Sequence, residues 1–268
     1  MLMAITRQVS PAFGNCELTH LERVAIDVPL AEAQHHQYEA CLAALGCEVH
    51  SLPAEPYLPD SVFVEDVAIV MDELAIITRP GADSRKPEAA AIARALEPYR
   101  KLFHIQAPGT VDGGDVLRVG KTLFVGLSSR SNSSAIEQMQ DALRPYSYTV
   151  KSVSVNSCLH LKSAVTQVAE DTLLINPNWV DTRTFGEGRW GDWRLIEVDK
   201  AEPYAGNALL IGESVIYPTS FPRTRAKLEA HGISVMMVDV SELAKAEGAV
   251  TCCSLIFESA LSLNSPIA

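Results

Sequence analysis

The chain has 268 residues, and 47% of them are hydrophobic, which is enough to bury a sizeable core and excludes an intrinsically disordered protein. The 33 Asp and Glu residues outnumber the 22 Lys and Arg residues and give a net charge of -11, which argues against nucleic acid or an anionic membrane as a partner. The longest apolar runs fall far short of the roughly 20 residues that a membrane-spanning helix needs.

The amino terminus and the cysteines indicate a cytoplasmic protein without disulfides. Residues 1–10 lack the positive start, apolar block and small-residue cleavage site of a secretory signal. Six cysteines are too sparse for a disulfide scaffold in a chain of this length, and no pair has Cys-x-x-Cys spacing. We therefore expect free thiols and no metal site.

The first clear structural unit starts at Val67. Two β-type runs surround a turn at Asp72 and Glu73, which predicts a hairpin. A helix is then expected to begin near Ser84 and to continue through the apolar spacing of AAAIARALEPY, followed by a strand over 102–105. The predicted order is hairpin, helix, strand.

The same order recurs three more times along the chain. The predicted copies are a hairpin over 116–125 with a helix over 134–143 and a strand over 149–155, a hairpin from Ala164 closed by the strand RLIEV, and a hairpin in ALLIGESVIYP with a helix over 223–231 and a strand over 234–238. The segment between Trp179 and Trp193 interrupts the third copy and departs from the pattern.

A fifth copy is predicted to be split between the two ends of the chain. Its parts are a strand over 252–257, a second strand over 23–27, the helix LAEAQHHQYEACLAAL and a last strand over 48–52. Joining the ends would close a ring and leave no exposed sheet edges. We therefore expect an α/β ring of five hairpin-helix-strand modules with pseudo-fivefold symmetry, in a single catalytic domain over residues 1–268.

Chemically active side chains precede the hairpins at intervals of about 45 to 48 residues. They are, in chain order, Asp60, Glu65 and Asp66, then Asp112, His160, Asn207 and Cys252. Equivalent positions in a closed ring lie at the same end, so we expect these side chains to converge on the axis. Arg85 and Arg130 occupy matching places after the first two hairpins and would face the same mouth.

Each of these residues alone has a simpler interpretation. An isolated cysteine is usually a small buried hydrophobe, and an isolated histidine on an apolar segment is usually a core residue. The Asp-Gly pair at Asp112 favours a tight turn. Only the joint arrangement indicates a site, in which Cys252 would face the axis and Cys253, its neighbour in a strand, would face away.

The combination of these groups points to one chemistry. A thiol and an imidazole form the nucleophile and acid/base pair of covalent catalysis, and carboxylates at the same mouth would hold a positive substrate. Two arginines suit a carboxylate at the far end of the ligand. Arginine and its derivatives fit both requirements, and the guanidinium carbon would be the electrophile.

Six ordered segments carry a family resemblance: PDSVFVEDVAIV, ITRPGADSR, GTVDGGDVL, FVGLSSRSN, LHLKSAV and GAVTCCSL. Together they resemble the dimethylarginine dimethylaminohydrolases of the guanidino-modifying, or pentein, superfamily. The resemblance implies a five-bladed α/β propeller of ββαβ modules. It also implies a nucleophile at Cys252, an acid/base at His160, guanidinium contacts at Asp66 and Asp112 with Glu65 lining the pocket, an α-amino contact at Asp60, α-carboxylate contacts at Arg85 and Arg130, and Leu18 on a mobile lid.

The implied reaction is hydrolysis of a methylated arginine to citrulline through a covalent Cys252 S-alkylthiouronium intermediate, with no cofactor. The partner would be the small-molecule substrate, and a homodimer is one assembly to test. Hydrolysis of unmodified arginine and amidino transfer use the same residue types and stay open as alternatives. A non-catalytic arginine-binding propeller is the alternative of a different class, and the presence of both Cys252 and His160 argues against it.

Overall fold

The structure is a computed structural model that describes residues 1–186 and 193–259. In these two ranges the strands are β1 (Leu2–Arg7), β2 (Glu48–Leu52), β3 (Ala68–Val70), β4 (Leu74–Ile77), β5 (Lys101–His104), β6 (Val116–Val119), β7 (Thr122–Leu127), β8 (Thr149–Ser154), β9 (Val165–Ala169), β10 (Thr172–Ile175), β11 (Arg194–Glu197), β12 (Leu209–Ile211), β13 (Ser214–Pro218), β14 (Ser234–Val238) and β15 (Leu255–Glu258). The α-helices are α1 (Val28–Ala44), α2 (Ala89–Leu96), α3 (Ser133–Leu143), α4 (Leu161–Ala164), α5 (Arg183–Gly186), α6 (Pro222–Ala230) and α7 (Ser241–Ala244).

The described strands form five three-stranded sheets, and each sheet joins an antiparallel pair of strands to a third, parallel strand. In four of the sheets the antiparallel pair is a hairpin. The chain runs hairpin, helix, strand in the modules β3-β4-α2-β5, β6-β7-α3-β8 and β12-β13-α6-β14, as the sequence predicts. The turn between β6 and β7 places Gly120 at a φ of +57°, a left-handed conformation that glycine adopts without a steric penalty. The expected five-bladed α/β propeller of ββαβ modules is confirmed.

The fifth module is assembled from both ends of the chain, but its middle strand differs from the prediction. Leu2–Arg7 pairs antiparallel with β15 and parallel with β2, whereas residues 23–27 form no strand. Burial explains the choice, because Met3 and Ile5 are fully buried and residues 23–25 are exposed. The predicted strand at 252–257 is also shorter, since it begins only at Leu255.

Helix caps and apolar faces anchor the helices against the sheets. The Asn132 side chain accepts a hydrogen bond from the Ala135 amide at the start of α3, as expected of an N-cap. The inner face of α1 includes Tyr38 and Leu42, which are buried, whereas Leu30 in the first turn of the helix is 44% exposed. No helix in the described ranges is long and apolar enough to cross a membrane.

The first strand of each module lines a central cavity of about 260 Å³ along the ring axis. The lining strands are β3, β6, β9, β12 and β15. The segments that enter these strands therefore meet at one end of the axis, which is the end where the predicted site residues lie. The insert of the third module contains α5, and residues 187–192 of that insert lie outside the described residues.

Candidate active site

A second, small cavity lies where the loops entering the inner strands converge. It is lined by six of the nine predicted site residues: Asp60, Asp66, Arg85, Arg130, His160 and Cys252. Asp112 lies directly behind His160, to which it is hydrogen bonded. Glu65 and Leu18 do not line this cavity. The ring thus brings together side chains that are almost 200 residues apart in sequence.

Cys252 lies in a turn before β15 and is 9% exposed. Burial first, and then the neighbouring carboxylates Glu65 and Asp66, raise the pKa of its thiol to about 12. Burial, and not the acidic cluster, is the first cause of this shift. The sequence predicts that Cys252 and Cys253 are neighbours in a strand and face opposite sides, which is wrong because both lie in a turn. Cys253 is nevertheless fully buried and packs in the core.

His160 precedes α4 and lies between two carboxylates. Its Nε2 is 3.1 Å from Asp112 Oδ2, and its Nδ1 is 3.9 Å from Asp66 Oδ1. Burial works against the charged ring, but the carboxylate of Asp66 and the hydrogen bond to Asp112 prevail and raise the pKa of His160 to about 9. The two shifts favour a charged imidazolium at His160 and an un-ionised thiol at Cys252 in the free protein.

Asp66 is fixed from two sides. Its Oδ2 accepts a 2.5 Å bond from Arg85 Nη1, and its Oδ1 accepts a 3.0 Å bond from the Gly114 amide. Burial opposes ionisation of this carboxyl, but the charges of His160 and Arg85 outweigh it and lower the pKa of Asp66 to about 2. Asp66 is therefore a standing negative charge next to Cys252.

The Gly-Gly pair of the DGGD motif lets the loop before β6 approach the site closely. A Cβ on Gly114 would lie 2.5 Å from His160 Nδ1, and one on Gly113 would lie 1.9 Å from the Glu65 carbonyl oxygen. A side chain at either position would displace the groups that surround the candidate nucleophile. The two glycines thus matter mainly because they leave room for close packing, and less because an Asp-Gly pair favours a tight turn.

Arg85 lies beneath the cavity and not at an open rim. Arg85 is buried, and its guanidinium donates to Asp66, to both carboxylate oxygens of Glu88, and to the carbonyl oxygens of Asp60 and Phe63. Two buried carboxylates on one guanidinium make a strong, fixed ion pair network. In this arrangement Arg85 holds Asp66 and the loop that carries Asp60.

Arg130 makes fewer polar contacts than Arg85. Its Nη1 is 3.6 Å from Asp112 Oδ2, beyond hydrogen-bonding distance, and its Nη2 donates to Thr19 Oγ1 at 2.8 Å. It lines the cavity at the side where the 17–21 segment lies. A ligand carboxylate could therefore take the place of the Thr19 hydroxyl.

The resemblance implies that Glu65 lines the guanidinium pocket, but in the structure it lines the central cavity and not the candidate-site cavity. Its two oxygens accept from Lys162 Nζ at 2.5 Å and from Thr251 Oγ1 at 2.8 Å, and it lines the central cavity. Adjacent carboxylates diverge here because residues 64–67 form a 3₁₀ turn. Asp66 faces the candidate site, and Glu65 closes its floor with Lys162.

The segment Glu17–Leu21, which the resemblance assigns to a lid, lies beside the cavity and lines it through Glu17. The Glu17 amide donates to both carboxylate oxygens of Asp60, at 3.2 and 3.0 Å, while Leu18 packs against the core cluster that contains Phe63 and Cys252. The enclosed cavity measures about 20 Å³, whereas a site for one water needs only about 10 to 15 Å³. An arginine-sized ligand therefore needs more room than this conformation offers.

Sequence reasoning missed Asp115 as a supporting residue. This fully buried carboxylate accepts bonds from the Leu161 amide and from the hydroxyls of Ser128 and Ser131. It therefore ties the His160 turn to the loop that carries Arg130. The signal was present, since Asp115 belongs to the same DGGD motif as Asp112. Glu88 was equally visible, three residues after Arg85.

Asp66, Asp112 and His160 could offer ligand atoms to a metal, since those atoms lie within 4.8 Å of one another. All three groups already have other partners, however. Arg85 and the Gly114 amide bind Asp66, the Gly81 amide binds Asp112, and His160 bonds to Asp112. The Arg85 guanidinium already offsets the negative charge of Asp66, which a divalent cation would need in order to bind.

Comparisons with known proteins agree on one family. A family profile described as "N,N dimethylarginine dimethylhydrolase, eukaryotic" matches residues 21–259. The N(G),N(G)-dimethylarginine dimethylaminohydrolase of Streptomyces coelicolor is 36% identical over 253 residues, which cover 94% of this chain and 95% of the relative.

Two solved structures of dimethylarginine dimethylaminohydrolase are similar in fold. One is a cysteine-to-serine mutant from Pseudomonas aeruginosa complexed with citrulline, with a TM-score of 0.88, 33% identity and coverage of 95% of this chain and 98% of that chain. The other is a histidine-to-glycine adduct with S-methyl-L-thiocitrulline, with a TM-score of 0.88, 33% identity and coverage of 96% and 100%.

Proposed function

Because the chain belongs to the dimethylarginine dimethylaminohydrolase family, we propose that it hydrolyses asymmetric dimethylarginine and monomethylarginine to citrulline and dimethylamine or methylamine. The observation that carries this proposal is the single cavity that unites Cys252 and His160 with the fixed carboxylate of Asp66. The reaction needs no cofactor in this scheme. Residues 1–268 act as one catalytic domain, since the nucleophile and the acid/base come from different modules.

The substrate is bound at its two charged ends. Asp66 lines the cavity and holds the guanidinium, whereas Asp112, for which the resemblance implies the same contact, lies behind His160 and orients its ring. Asp60, whose oxygens now accept from the Glu17 amide, receives the α-ammonium group. Arg130 meets the α-carboxylate in place of Thr19. A direct contact from Arg85 to that carboxylate requires one of its present bonds to break, so its main contribution is to fix Asp66.

The first half-reaction begins when the guanidinium cation enters beside Asp66. Its charge offsets the carboxylates that oppose ionisation, and the Cys252 thiol loses its proton to solvent. The thiolate attacks the guanidinium carbon and forms a neutral tetrahedral adduct. The His160 imidazolium then protonates the dimethylamino nitrogen, the C–N bond breaks, and an S-alkylthiouronium cation stays on Cys252.

The second half-reaction uses the His160 ring, now neutral, as a base. The ring takes a proton from water while the water oxygen bonds to the thiouronium carbon. The C–S bond then breaks and the hydroxyl proton returns to the sulfur. Citrulline and the Cys252 thiol are released, and His160 is again protonated. The raised pKa of His160 fits a group that starts the cycle as an acid.

A colorimetric assay for citrulline tests the proposal. Dimethylarginine, monomethylarginine and arginine are compared in parallel at equal concentration. We expect citrulline from the two methylated substrates. Citrulline mainly from arginine would favour the deiminase alternative, transfer to an added amine without citrulline would favour an amidinotransferase, and binding without product would favour the non-catalytic propeller.

The partner is proposed to be this small-molecule substrate alone, without nucleic acid or membrane, in the cytoplasm. The charge of -11 supports the absence of phosphate-rich partners. A homodimer is the assembly we propose to test, by light scattering at several protein concentrations.

A further inference from the structure

The lid segment Glu17–Leu21 is held by four groups, Asp60, Ser84, Arg130 and Glu247, and the proposed substrate would occupy two of them. The Glu17 amide bonds to Asp60, and Arg130 bonds to Thr19. On the proposed function, these contacts are exchanged for the α-ammonium and α-carboxylate groups when substrate binds. The Ser84 hydroxyl still donates to the Glu17 carboxylate, but residues 19–21 then need another anchor if the lid is to stay closed during the reaction.

The Glu247 carboxylate provides that anchor. Its Oε2 accepts a bond from the Thr19 amide at 3.0 Å, and its Oε1 accepts bonds from the amides of His20 at 2.5 Å and Leu21 at 2.7 Å. Three successive amides on one carboxylate form charge-assisted bonds, which are stronger than neutral ones. None of the three amides is among the groups proposed to bind substrate.

The backbone of Glu247 has an uncommon conformation, which a tight turn holds in place. Glu247 has a φ of +59°, a left-handed conformation that favours glycine and is uncommon for a glutamate. The bonds from the Glu247 amide to the Ala244 carbonyl oxygen and from the Gly248 amide to the Leu243 carbonyl oxygen keep the turn in this shape. A non-glycine residue held in such a conformation next to a site is a reason to look for a function.

The position of Glu247 links the latch to the nucleophile. Glu247 lines the candidate active-site cavity together with Glu17 and Cys252, and it lies in the turn that leads from α7 to Cys252. The lid and the cysteine loop are therefore joined directly across the mouth of the cavity. We propose that Glu247 is a positioning residue whose carboxylate latches the Glu17–Leu21 lid over Cys252, both in the free protein and with substrate bound.

Amide hydrogen exchange of the free protein tests the latch without using activity. In Glu247→Gln one acceptor oxygen becomes an NH₂ group that faces amide donors, so exchange at Thr19, His20 and Leu21 should accelerate by about tenfold or more. The matched control is Glu213→Gln, an exposed glutamate on the turn between β12 and β13. Exchange in the β-strands should be the same in all three proteins.

Alkylation and kinetics extend the test to the cavity and the reaction. Iodoacetamide should alkylate Cys252 faster in Glu247→Gln than in the wild type or the control at the same pH. With dimethylarginine, we expect KM to rise about tenfold while kcat changes less than about threefold, because the lid retains bound substrate but takes no part in the chemistry.

The outcomes separate this inference from the proposed function. Unchanged exchange and alkylation in Glu247→Gln overturn the latch, even if the protein is an active hydrolase. Faster exchange with an unchanged KM overturns its role with substrate bound. Absence of turnover in the wild type, with faster exchange in the variant, contradicts the proposed function and supports the latch in the free protein.

Discussion

Two adjacent cysteines precede β15, and their surroundings differ. Cys252 lines the cavity with His160, whereas Cys253 is fully buried in the core cluster and its Sγ is 3.6 Å from the Ala249 carbonyl oxygen. We expect Cys252→Ser to abolish citrulline formation and Cys253→Ser to retain most of it. Equal inactivation of both variants, with folding intact by circular dichroism, would contradict the assignment of Cys252.

The surroundings of Cys252 also predict how its reactivity depends on pH. Burial first, and then Glu65 and Asp66, raise the pKa of the thiol to about 12, so the free protein carries little thiolate at pH 7. Iodoacetamide should alkylate Cys252 slowly at pH 7, and the rate should climb with pH through a midpoint above the reference value of about 8.5.

The Asp66→Asn variant checks the electrostatic part of this prediction. Removal of a charge that opposes ionisation should move the alkylation midpoint of Cys252 to lower pH. The rate is measured against pH, with the modified residue identified by mass spectrometry. A midpoint well below 7 in the wild type would mean that a standing Cys252–His160 ion pair supplies the thiolate, and substrate-induced ionisation would have to be abandoned.

At the level of elements, one side chain fastens α3 to the loop before it. Asn132 Oδ1 accepts from the amides of Ala135 and Thr110, and its Nδ2 donates to the Pro108 carbonyl oxygen. Asn132→Ala should lower the free energy of unfolding by about 1 to 2 kcal/mol, at the upper part of the range for N-caps, because two loop bonds are lost as well. Denaturant unfolding measures the change.

The control for this prediction is Ser133→Ala, an exposed residue in the first turn of the same helix. We expect its free energy of unfolding to lie within about 0.5 kcal/mol of the wild type. A loss in Asn132→Ala no larger than in Ser133→Ala would show that the cap contributes little to the stability of the folded protein.

For the whole molecule, the ring depends on one strand from the amino terminus. Leu2–Arg7 lies between β15 and β2 and supplies the middle of the fifth sheet. Removal of residues 1–7 would leave two strands without a common partner and expose the apolar surface that covers Ile5. We expect this shortened protein to lose cooperative thermal unfolding and to aggregate.

A single substitution gives a graded version of the same test. Ile5→Ala should reduce the free energy of unfolding by about 2 to 5 kcal/mol, as other large-to-small changes in packed cores do. Both variants are followed by circular dichroism and gel filtration. A cooperative, monodisperse protein without residues 1–7 would show that the other four modules form a stable unit without the closing strand.

The sequence by itself determined the modular order, because each turn, helix start and apolar run is a local signal that recurs at a regular interval. The same regularity predicted that Asp66, Asp112, His160 and Cys252 meet at one end of the ring. The resemblance added the roles expected of those residues. These features follow from short-range propensity and from the geometry of a closed repeat, so they need no knowledge of side-chain contacts.

Tertiary structure decided what depends on long-range pairing and on the direction of each side chain. Residues 2–7 and 23–27 both carry β-type apolar residues, and only burial between β15 and β2 selected the first. Adjacent Glu65 and Asp66 look alike in sequence, but a 3₁₀ turn sends one to Lys162 and the other to Arg85. Spacing along a chain specifies which loop a residue occupies, whereas the packing of neighbouring modules specifies which charge it meets.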